Sequence, residues 1–430
     1  MKKTLLYLLV TVLLCGCCGC SVEKKEEPTG LPQVIEALRS EGQLEAPAYE
    51  YLPQYDPVNL NDKRIKAISF ESVAYQGEKT RVFAYFGLPE NASEEKKVPA
   101  VVLVHGGGGT AFPEWVQLWV DAGYAAIAFD TEGQANITGS SAWNPQSADP
   151  DNLFKGPSND YLATSFREIN QQWIYHAVSA AMKCTSFLSK LSQVDKNKIG
   201  ITGISWGGVI TSLTMCADER LCFAVPIYCN GKFTEGNMGT SMNGYYSDAK
   251  TRELWEPSNY FDWVKAKVLF VNSDHDFSHC MLGTNAAHTL LKGSYQTIIP
   301  DLFHGHVQAW EVKETMAFAN NCVGLTANSF VSVLSQKIEN GTLEVKFSQQ
   351  EGVKIARAEL YAIEGAYIMD KNAKVPYQCG LKEDFRKIGE QEITQRGEVI
   401  ISVPDSVSYC YVNLITEDGY VCSGNMIKVK

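Results

Sequence analysis

The sequence predicts an α/β fold in which a mostly parallel sheet is flanked by helices and is followed by a small C-terminal all-β sandwich domain. The first observation is length, because 430 residues exceed what a single hydrophobic core usually holds and indicate two globular units. The second is a series of near-continuous apolar runs that alternate with helical patterns up to about residue 325. The third is a change after that residue to short runs in which apolar and polar residues alternate.

Six apolar runs in the first unit are predicted to be strands that are covered on both faces. They lie at residues 98–105, 125–130, 198–202, 222–228, 267–271 and 295–300. Helical spacing of apolar residues is found between them at residues 113–122, 173–191 and 278–291. Strands and helices in this alternation are typical of a parallel sheet with crossover helices.

The second unit contains four short alternating runs, at residues 343–347, 358–362, 399–403 and 409–414. A period of two places the apolar side chains on one face of each strand, which predicts half-buried strands of an antiparallel sandwich. We therefore expect the first unit to span residues 65–325 and the second to span residues 326–430.

The N-terminus is predicted to be an export signal rather than part of the fold. A pair of lysines precedes an apolar stretch over residues 5–14, which is too short to span a membrane. Residues 14–17 read Leu-Cys-Gly-Cys, the form of a bacterial lipoprotein cleavage site, so Cys17 is the predicted lipidated residue. Cys20 is the alternative residue, and an ordinary cleaved signal is the alternative interpretation.

We expect residues 1–20 to form this signal segment and residues 21–64 to form a linker and N-terminal extension. Residues 21–28 are charged and poor in apolar side chains, as in a solvated tether. The expected location is the bacterial cell envelope, at the outer membrane or the cell surface, with the lipid as the membrane anchor.

The chain is acidic, with a formal net charge of -11. This balance argues against a nucleic acid partner, because contacts to phosphates need clustered lysine and arginine side chains. It also disfavours a polyanionic substrate.

Nine cysteines remain after residue 20, and most of them stand in apolar stretches, where a free cysteine packs as a small hydrophobic residue. Export would allow a disulfide such as Cys410 with Cys422. Spacing alone does not determine the pairing, so no disulfide is predicted.

A serine stands at a predicted strand-to-helix turn. Residues 203–207 read Gly-Ile-Ser-Trp-Gly and lie between the apolar run 198–202 and the helical run 208–215. Flanking glycines suit a turn whose strained backbone exposes the serine Oγ at a helix N-terminus. The pattern predicts that Ser205 is a nucleophile, and a buttressing serine in a catalytically inactive relative is the alternative.

Two later loops offer an acid and a base in an order that a serine triad can use. The loop after the last predicted strand contains two histidines, and we favour His304 over His306 because it leaves the strand first and a glycine follows it. The loop after the preceding strand contains two aspartates. We favour Asp276 over Asp274, because Asp276 lies deeper in the loop and Asp274 suits a turn cap. The predicted triad is Ser205, Asp276 and His304.

A run of four glycines follows His105 at the end of an earlier predicted strand. Glycines leave backbone N–H groups unobstructed by Cβ atoms. One donor from Gly107 or Gly108 and one from Trp206, directly after the serine, are predicted to form an oxyanion hole. A plain tight turn is the alternative. The ring of His105 is predicted to brace this loop.

The residues Asp274, His275, Asp276 and His279 could also be interpreted as a metal-binding cluster. However, no third and fourth ligands stand at a recognised spacing, and the triad already accounts for one carboxylate. The sequence therefore predicts neither a metal site nor a cofactor.

These motifs resemble those of the acetyl xylan esterase and cephalosporin-C deacetylase-like branch of the α/β-hydrolases, which is related to dienelactone hydrolases and prolyl-oligopeptidase-type peptidases. The resemblance is carried by residues 102–112, 203–208, 275–277 and 304–306. It implies an α/β-hydrolase fold and the triad Ser205, Asp276 and His304. His275 stands where the branch carries asparagine, which bears on the rim of the pocket.

The resemblance implies a serine esterase that removes acetyl or other small acyl groups from a polysaccharide or oligosaccharide through an acyl-enzyme on Ser205. Substrate choice is expected to depend on residues 134–159 and 228–246, which follow sheet strands and contain aromatic and amide side chains. An acylated carbohydrate is therefore the expected partner.

Two other functions stay open. A prolyl-oligopeptidase-type serine peptidase would need a propeller or a comparable gating domain upstream, for which residues 21–65 are too few. A non-catalytic glycan-binding lipoprotein would bind sugar through the C-terminal unit, although binding alone requires none of the three triad residue types.

Overall fold

A computed structural model shows how the chain folds. It describes residues 32–40, 44–60, 62–133, 135, 156–157, 166–233, 245–276, 278–348, 351–364, 385–393 and 396–430. Within these ranges, no helix combines the length and the apolar character that crossing a membrane requires.

Within the described residues, nine strands form one sheet at the centre of the first unit. They are β1 Tyr49–Tyr51, β2 Ile65–Tyr75, β3 Glu78–Gly87, β4 Val98–Val104, β5 Ala125–Phe129, β6 Val194–Ile204, β7 Phe223–Ile227, β8 Lys267–Ser273 and β9 Tyr295–Ile299. Their spatial order is β1-β2-β3-β5-β4-β6-β7-β8-β9. The pairs from β5 to β9 in this order are parallel, and the pairs from β1 to β5 are antiparallel.

Helices flank this sheet. They are α1 Gln33–Ser40, α2 Pro113–Asp121, α3 Trp173–Lys190, α4 Trp206–Ala217, α5 Ala249–Trp255, α6 Met281–Leu290, α7 His306–Trp310 and α8 Lys313–Val323. Short 3-10 helices occur at Pro53–Tyr55, Val58–Leu60, Ile169–Gln171 and Pro257–Trp263. Helix α4 is buried along its whole length, because it lies between strands β6 and β7 on one side and α1 and α3 on the other.

The six predicted strands and the three predicted helices are all present, with ends that differ by a few residues. Every residue of β4, β5 and β7 is buried. Parallel strands covered on both faces show this complete burial. The predicted α/β class with a mostly parallel sheet is confirmed.

The N-terminal part of the chain is more structured than its pattern indicates. Helix α1 lies inside residues 21–64, the expected linker and extension, and its Val34, Ile35 and Leu38 are buried. These three residues share one helical face. A pattern confined to eight residues is too short to identify a helix from sequence, since so short a helix depends on tertiary packing.

Two antiparallel sheets make up the second unit. Their strands are β10 Val333–Glu339, β11 Thr342–Phe347, β12 Ile355–Ile363, β13 Arg386–Glu392, β14 Glu398–Ser402, β15 Tyr409–Thr416, β16 Val421–Ser423 and β17 Ile427–Lys428. One sheet has the order β10-β11-β14, and the other has the order β13-β12-β15-β16 with β17 beside β15. In β11, Leu343 and Val345 are buried while Glu344 and Lys346 form an ion pair of 2.8 Å at the surface. The predicted small all-β unit is confirmed.

The second unit packs against β9 at the edge of the central sheet. The Ile298 backbone N–H donates to Ser423 Oγ at 2.7 Å, and Asn413 Nδ2 donates to the Ile298 carbonyl at 3.1 Å. Thr297 Oγ1 donates to the Val421 carbonyl at 2.6 Å. The second unit therefore covers the strand from which the last loop of the first unit emerges.

Cys410 and Cys422 are both buried and free. The register of β15 and β16 places Cys422 opposite Leu414. Because Leu414 lies about 13 Å along the strand from Cys410, the two thiols are too far apart for a disulfide.

Candidate active site

Ser205 occupies the tight turn between β6, which ends at Ile204, and α4, which begins at Trp206. Its φ of 58° lies in the left-handed region that residues other than glycine rarely adopt. A Cβ atom on Gly207 would overlap the Val104 carbonyl, so the turn requires glycine there. The structure thus has the predicted strand-to-helix turn at the serine, and the role of Ser205 as nucleophile stays a prediction.

Asp276 and His304 lie in the loops after β8 and β9, neighbouring parallel strands in the sheet that also carries β6. His304 Nδ1 donates to Asp276 Oδ2 at 2.5 Å. The other oxygen, Asp276 Oδ1, accepts from the backbone N–H groups of Ser278 and His279 at 2.7 and 2.6 Å. Because the Asp276 carboxylate accepts a hydrogen bond from Nδ1–H, the proton of the neutral His304 ring is on Nδ1 and Nε2 is the acceptor nitrogen, as a general base requires.

Tyr228 holds the ring of His304, a role that the sequence pattern does not indicate. The two rings stack with centroids 4.3 Å apart, and Tyr228 Oη donates to the Phe303 carbonyl at 2.7 Å. Burial raises the pKa of Tyr228, so its phenol stays protonated. Tyr228 follows Ile227, whose carbonyl accepts from the Ser205 N–H at 3.0 Å. One short segment therefore contacts both the serine turn and the histidine loop, and its only sequence signal is an aromatic residue directly after a buried strand.

The glycine loop after β4 lies directly against the serine turn. A Cβ atom on Gly106 would stand 3.0 Å from Ser205 Cβ, so this close approach requires glycine. The backbone N–H groups of Gly107 and Gly108 have no hydrogen-bond acceptor in the described part of the chain. Both groups therefore suit the predicted oxyanion role beside Trp206, the first residue of α4. The assignment of these three donors stays a prediction.

His306 supports the glycine loop. Its Nε2 accepts from the Gly106 N–H at 2.9 Å, and burial lowers the pKa of His306 to about 4. A ring nitrogen that already accepts a backbone proton is occupied and cannot also accept one from a serine hydroxyl. The structure therefore brings His304, and not His306, to the carboxylate of Asp276.

His105 braces the same loop, as predicted. Its Nε2 accepts from the Thr131 N–H at 2.9 Å, so its Nδ1 carries the proton and donates to the Gly106 carbonyl at 2.8 Å. Burial lowers the pKa of His105 to about 4, so the ring is neutral near pH 7. Both ring nitrogens thus have structural partners.

Asp274 does not cap the turn in which it stands, as the sequence predicts, but bonds to two other segments. Its Oδ1 accepts from the Asp301 backbone N–H at 2.9 Å, and its Oδ2 accepts from Tyr411 Oη at 2.8 Å. The predicted cap is wrong because both partners come from segments that lie far away in the sequence and are adjacent only in the folded chain.

The four residues considered above as a metal cluster do not form one ligand set. The ligand atoms of Asp274 and His275 lie within 4.8 Å of each other and of Asp301, a group whose spacing could hold a metal ion. Asp276 is engaged by the histidine of the predicted triad. His279 is fully buried, burial lowers its pKa to about 4, and its ring nitrogens have no hydrogen-bond partner among the described residues.

Cys17 lies outside the described residues, and so do most of the two loops that are expected to select the substrate. The described end of the second loop contains Tyr245 and Tyr246, whose rings lie 5.2 and 6.3 Å from that of Trp206. Two tyrosine rings therefore pack against Trp206, the residue that follows the serine.

Two family models match the chain. The acetyl xylan esterase model matches residues 44–230, which include the glycine loop and the serine turn. The prolyl oligopeptidase family model matches residues 159–325, which include the serine turn and the loops of Asp276 and His304.

The chain is also similar to a curated protein and to solved structures. It is 25% identical over 222 residues to a probable dipeptidyl-peptidase 5 from Aspergillus clavatus, which covers 49% of this chain and 26% of that protein. The chain thus spans about a quarter of the length of this curated relative. Acetyl xylan esterase 1 from Thermoanaerobacterium sp. is 15% identical with a TM-score of 0.48, covering 67% of this chain and 91% of that one. An acetyl xylan esterase from Paenibacillus sp. R4 is 16% identical with a TM-score of 0.49, covering 66% and 91%.

Topology, the serine turn and the family models agree. Ser205, Asp276 and His304 follow strands β6, β8 and β9 of a mostly parallel sheet. This chain order of serine, acid and histidine is that of the α/β-hydrolases. The chain therefore has the α/β-hydrolase fold of a serine hydrolase, and its residues 44–230 resemble the acetyl xylan esterases, an enzyme class that hydrolyses carboxylic esters.

Proposed function

We propose that this chain is a carbohydrate esterase that removes acetyl or other small acyl groups from a polysaccharide or oligosaccharide. The observation that carries the proposal is the hydrogen bond between His304 Nδ1 and Asp276 Oδ2. These two residues follow strands β9 and β8 of the same sheet in which Ser205 follows β6. It occurs in a chain whose residues 44–230 match the acetyl xylan esterase family model.

Ester hydrolysis would proceed in two steps through Ser205. In the first step, Ser205 Oγ attacks the ester carbonyl carbon while His304 Nε2 takes the hydroxyl proton and Asp276 stabilises the imidazolium. The proton then passes to the leaving sugar oxygen, the ester C–O bond breaks, and an acyl-enzyme remains. In the second step, His304 Nε2 takes a proton from water as the water oxygen attacks the acyl carbon. The bond between the acyl carbon and Ser205 Oγ then breaks, His304 returns the proton to Ser205 Oγ, and the carboxylic acid leaves.

Negative charge develops on the carbonyl oxygen in both steps. The Trp206 N–H stands at the N-terminus of α4, where the helix dipole favours an anion. Gly107 and Gly108 offer a second donor from the opposite loop, and one such donor is worth roughly 3 kcal/mol in comparable reactions. Because His105 and His306 both bond the backbone of Gly106, this loop is ordered before the substrate binds.

A carbohydrate substrate is favoured by the composition of residues 134–159. This segment of the sequence contains Trp143, Asn144, Asn152 and Asn159. Aromatic rings provide flat apolar surface and amides provide both donors and acceptors, which suits the faces and the hydroxyl groups of sugars. The net charge of -11 suits a neutral acetylated polymer better than a polyanion.

The first test compares wild type and Ser205→Ala on p-nitrophenyl acetate and on acetylated xylan. We expect acetate release from both substrates by the wild type and a kcat at least about 10⁴-fold lower in Ser205→Ala. Ser212→Ala is the matched control, because Ser212 lies on α4, the helix that follows Ser205, and its hydroxyl donates to the Asn230 carbonyl. Equal acetate release by Ser205→Ala and the wild type would refute the proposal. Binding of xylan without release would favour the glycan-binding function.

A prolyl-oligopeptidase-type serine peptidase is the second candidate, because that family model matches residues 159–325. The same three side chains can open an amide as well as an ester. Hydrolysis of aminoacyl p-nitroanilides tests this candidate. It is favoured if Ser205-dependent release of p-nitroaniline has a higher kcat/KM than acetate release.

We also propose that the chain is exported and held at the cell envelope through a lipid on Cys17. The apolar stretch at residues 5–14 and the Leu-Cys-Gly-Cys sequence support this proposal. Membrane fractionation of cells that express Cys17→Ala or Cys20→Ala tests it. Loss of the protein from the membrane fraction is expected for Cys17→Ala. Loss only for Cys20→Ala would show that Cys20 carries the lipid.

A further inference from the structure

One buried carboxylate joins three segments of the chain beside the predicted triad. The Asp274 side chain is 1% exposed and follows β8 directly. Its Oδ1 accepts from the backbone N–H of Asp301, which lies in the loop after β9. Its Oδ2 accepts from Tyr411 Oη on β15 of the second unit. Asp274 therefore links the acid loop, the histidine loop and the C-terminal unit.

The same two loops carry the predicted acid and base. Asp276 lies two residues after Asp274, and His304 lies three residues after Asp301. The Asp274–Asp301 hydrogen bond is thus a second connection, parallel to the Asp276–His304 bond, between these loops. A displacement of one loop relative to the other would have to break both hydrogen bonds or bend the backbone between them.

Tyr411 is positioned to fix this carboxylate from the other side. Its ring is fully buried, stacks on Tyr361 with centroids 5.1 Å apart, and meets Phe385 edge-on at 5.2 Å. Burial and the nearby carboxylate of Asp274 raise the pKa of Tyr411, so its hydroxyl stays a donor. Asn413, two residues further along β15, donates to the Ile298 carbonyl of β9. Strand β15 thus holds β9 and the Asp274 carboxylate together.

We propose that the C-terminal β unit takes part in catalysis through Tyr411, a positioning residue that acts through Asp274 to hold the loops of Asp276 and His304 in their productive arrangement. This inference rests on the proposed esterase function of that triad. It gives the second unit a role in turnover that does not require it to contact the substrate. Small misplacements of a catalytic group lower turnover more than they lower ground-state binding.

The test is the kinetics of Tyr411→Phe in the full chain, because this change removes only the hydroxyl. With p-nitrophenyl acetate we expect kcat to fall about tenfold or more while KM stays within about twofold. Tyr361→Phe is the matched control, because Tyr361 loses a hydroxyl that donates to Glu359, with its ring still stacked on Tyr411. Its kcat should equal that of the wild type.

A double-mutant cycle distinguishes positioning from general destabilisation. If Tyr411 acts through Asp274, the kcat of Tyr411→Phe combined with Asp274→Ala equals that of Asp274→Ala alone. Circular dichroism sets an assay temperature at which all the variants are folded. Asp274→Asn is the milder second variant, since its amide oxygen can still accept from the Asp301 N–H, and we expect a smaller loss of kcat than in Asp274→Ala.

Several outcomes would overturn the inference. These are a wild-type kcat in Tyr411→Phe, an equal loss in Tyr361→Phe, a loss confined to KM, or additive losses in the double-mutant cycle. Failure of the proposed esterase function is recognised separately, because the wild type itself would then show no Ser205-dependent acetate release.

Discussion

Ser205 is held in a backbone conformation that a serine alone does not favour. Its φ of 58° belongs to a region that costs about 1–3 kcal/mol for residues other than glycine. The Ser205 N–H donates to the Ile227 carbonyl, and Gly203 and Gly207 leave space that a Cβ atom would fill. The surrounding sheet and helix thus maintain the strain. This turn brings the serine to the start of α4, so the two glycines are needed to place its hydroxyl there.

The two histidines of the last loop should respond differently to substitution. We expect His304→Ala to lower kcat by about 10⁴-fold, since it removes the general base. We expect His306→Ala to lower kcat by only about tenfold, because it removes support for a loop that donates to the oxyanion rather than a donor itself. Steady-state kinetics with p-nitrophenyl acetate measures both losses.

His306→Gln is the control for this comparison. A glutamine carbonyl can accept from the Gly106 N–H as His306 Nε2 does, so it should restore part of the lost kcat. If His306→Ala proved as inactive as His304→Ala, and glutamine restored nothing, the assignment of His304 as the base would be contradicted.

At the residue scale, local pattern distinguishes some roles and not others. His304 could be chosen from its place after a strand and before a glycine. The acceptor role of His306 could not be inferred, because its partner Gly106 lies 200 residues away in the sequence. The same holds for Tyr411 and Asp274, which are 137 residues apart. Such contacts depend on which strands become neighbours in the fold, and this pairing cannot be inferred from the local sequence of one segment.

At the element scale, the burial of a strand determines whether the strand can be predicted from the sequence. Strands β4, β5 and β7 are buried on both faces and therefore appear as continuous apolar runs. The hairpin of β2 and β3 follows β1 in the sheet and is not predicted, because polar residues interrupt the apolar ones of β2 and the first four residues of β3 read Glu-Lys-Thr-Arg. Both strands are buried on both faces over only part of their length, so their apolar signal is shorter than that of β4, β5 and β7.

Helix α1 provides a prediction at this scale. Leu38 is fully buried, so Leu38→Ala should lower the free energy of unfolding by about 2–5 kcal/mol. Glu36 lies on the exposed face of the same helix, and Glu36→Ala should change the free energy of unfolding by less than about 0.5 kcal/mol. Urea denaturation followed by circular dichroism measures both values. Equal stability of Leu38→Ala and the wild type would show that α1 does not contribute to the core.

At the scale of the whole molecule, the two units share one hydrophobic core. A single cluster of buried residues runs from the central sheet into the C-terminal sheets. Phe330, near the start of the second unit, stacks on Tyr420 and meets Phe318 of α8 edge-on. Because the units bury their apolar surface together, destabilising one should destabilise the other. Tyr411 packs in a second buried cluster with Met281 and Ile298 of the first unit and donates to Asp274. These contacts are the physical basis on which a C-terminal residue can influence the triad.

The buried histidines of the whole molecule predict how its stability depends on pH. Burial lowers the pKa to about 4 in His105, His176, His279, His288 and His306. In the unfolded chain a histidine has a pKa of about 6.5. Between these two values the unfolded state binds more protons than the folded state. The free energy of unfolding should therefore fall as the pH decreases from 6.5 toward 4, and these residues should add no pH dependence above 7.

His176 tests this prediction, because its ring is 3% exposed on α3 and its Nε2–H donates to the Asn170 carbonyl. For one such histidine the loss between pH 7 and pH 5 is about 2 kcal/mol. His176→Gln cannot be protonated, so its loss over that interval should be smaller than the wild-type loss by about this amount. Urea denaturation of both proteins at the two pH values gives the comparison, in which the contributions of all carboxylates cancel. Equal losses would mean that His176 keeps an ordinary pKa in the folded chain, and that burial of the ring does not exclude water from it.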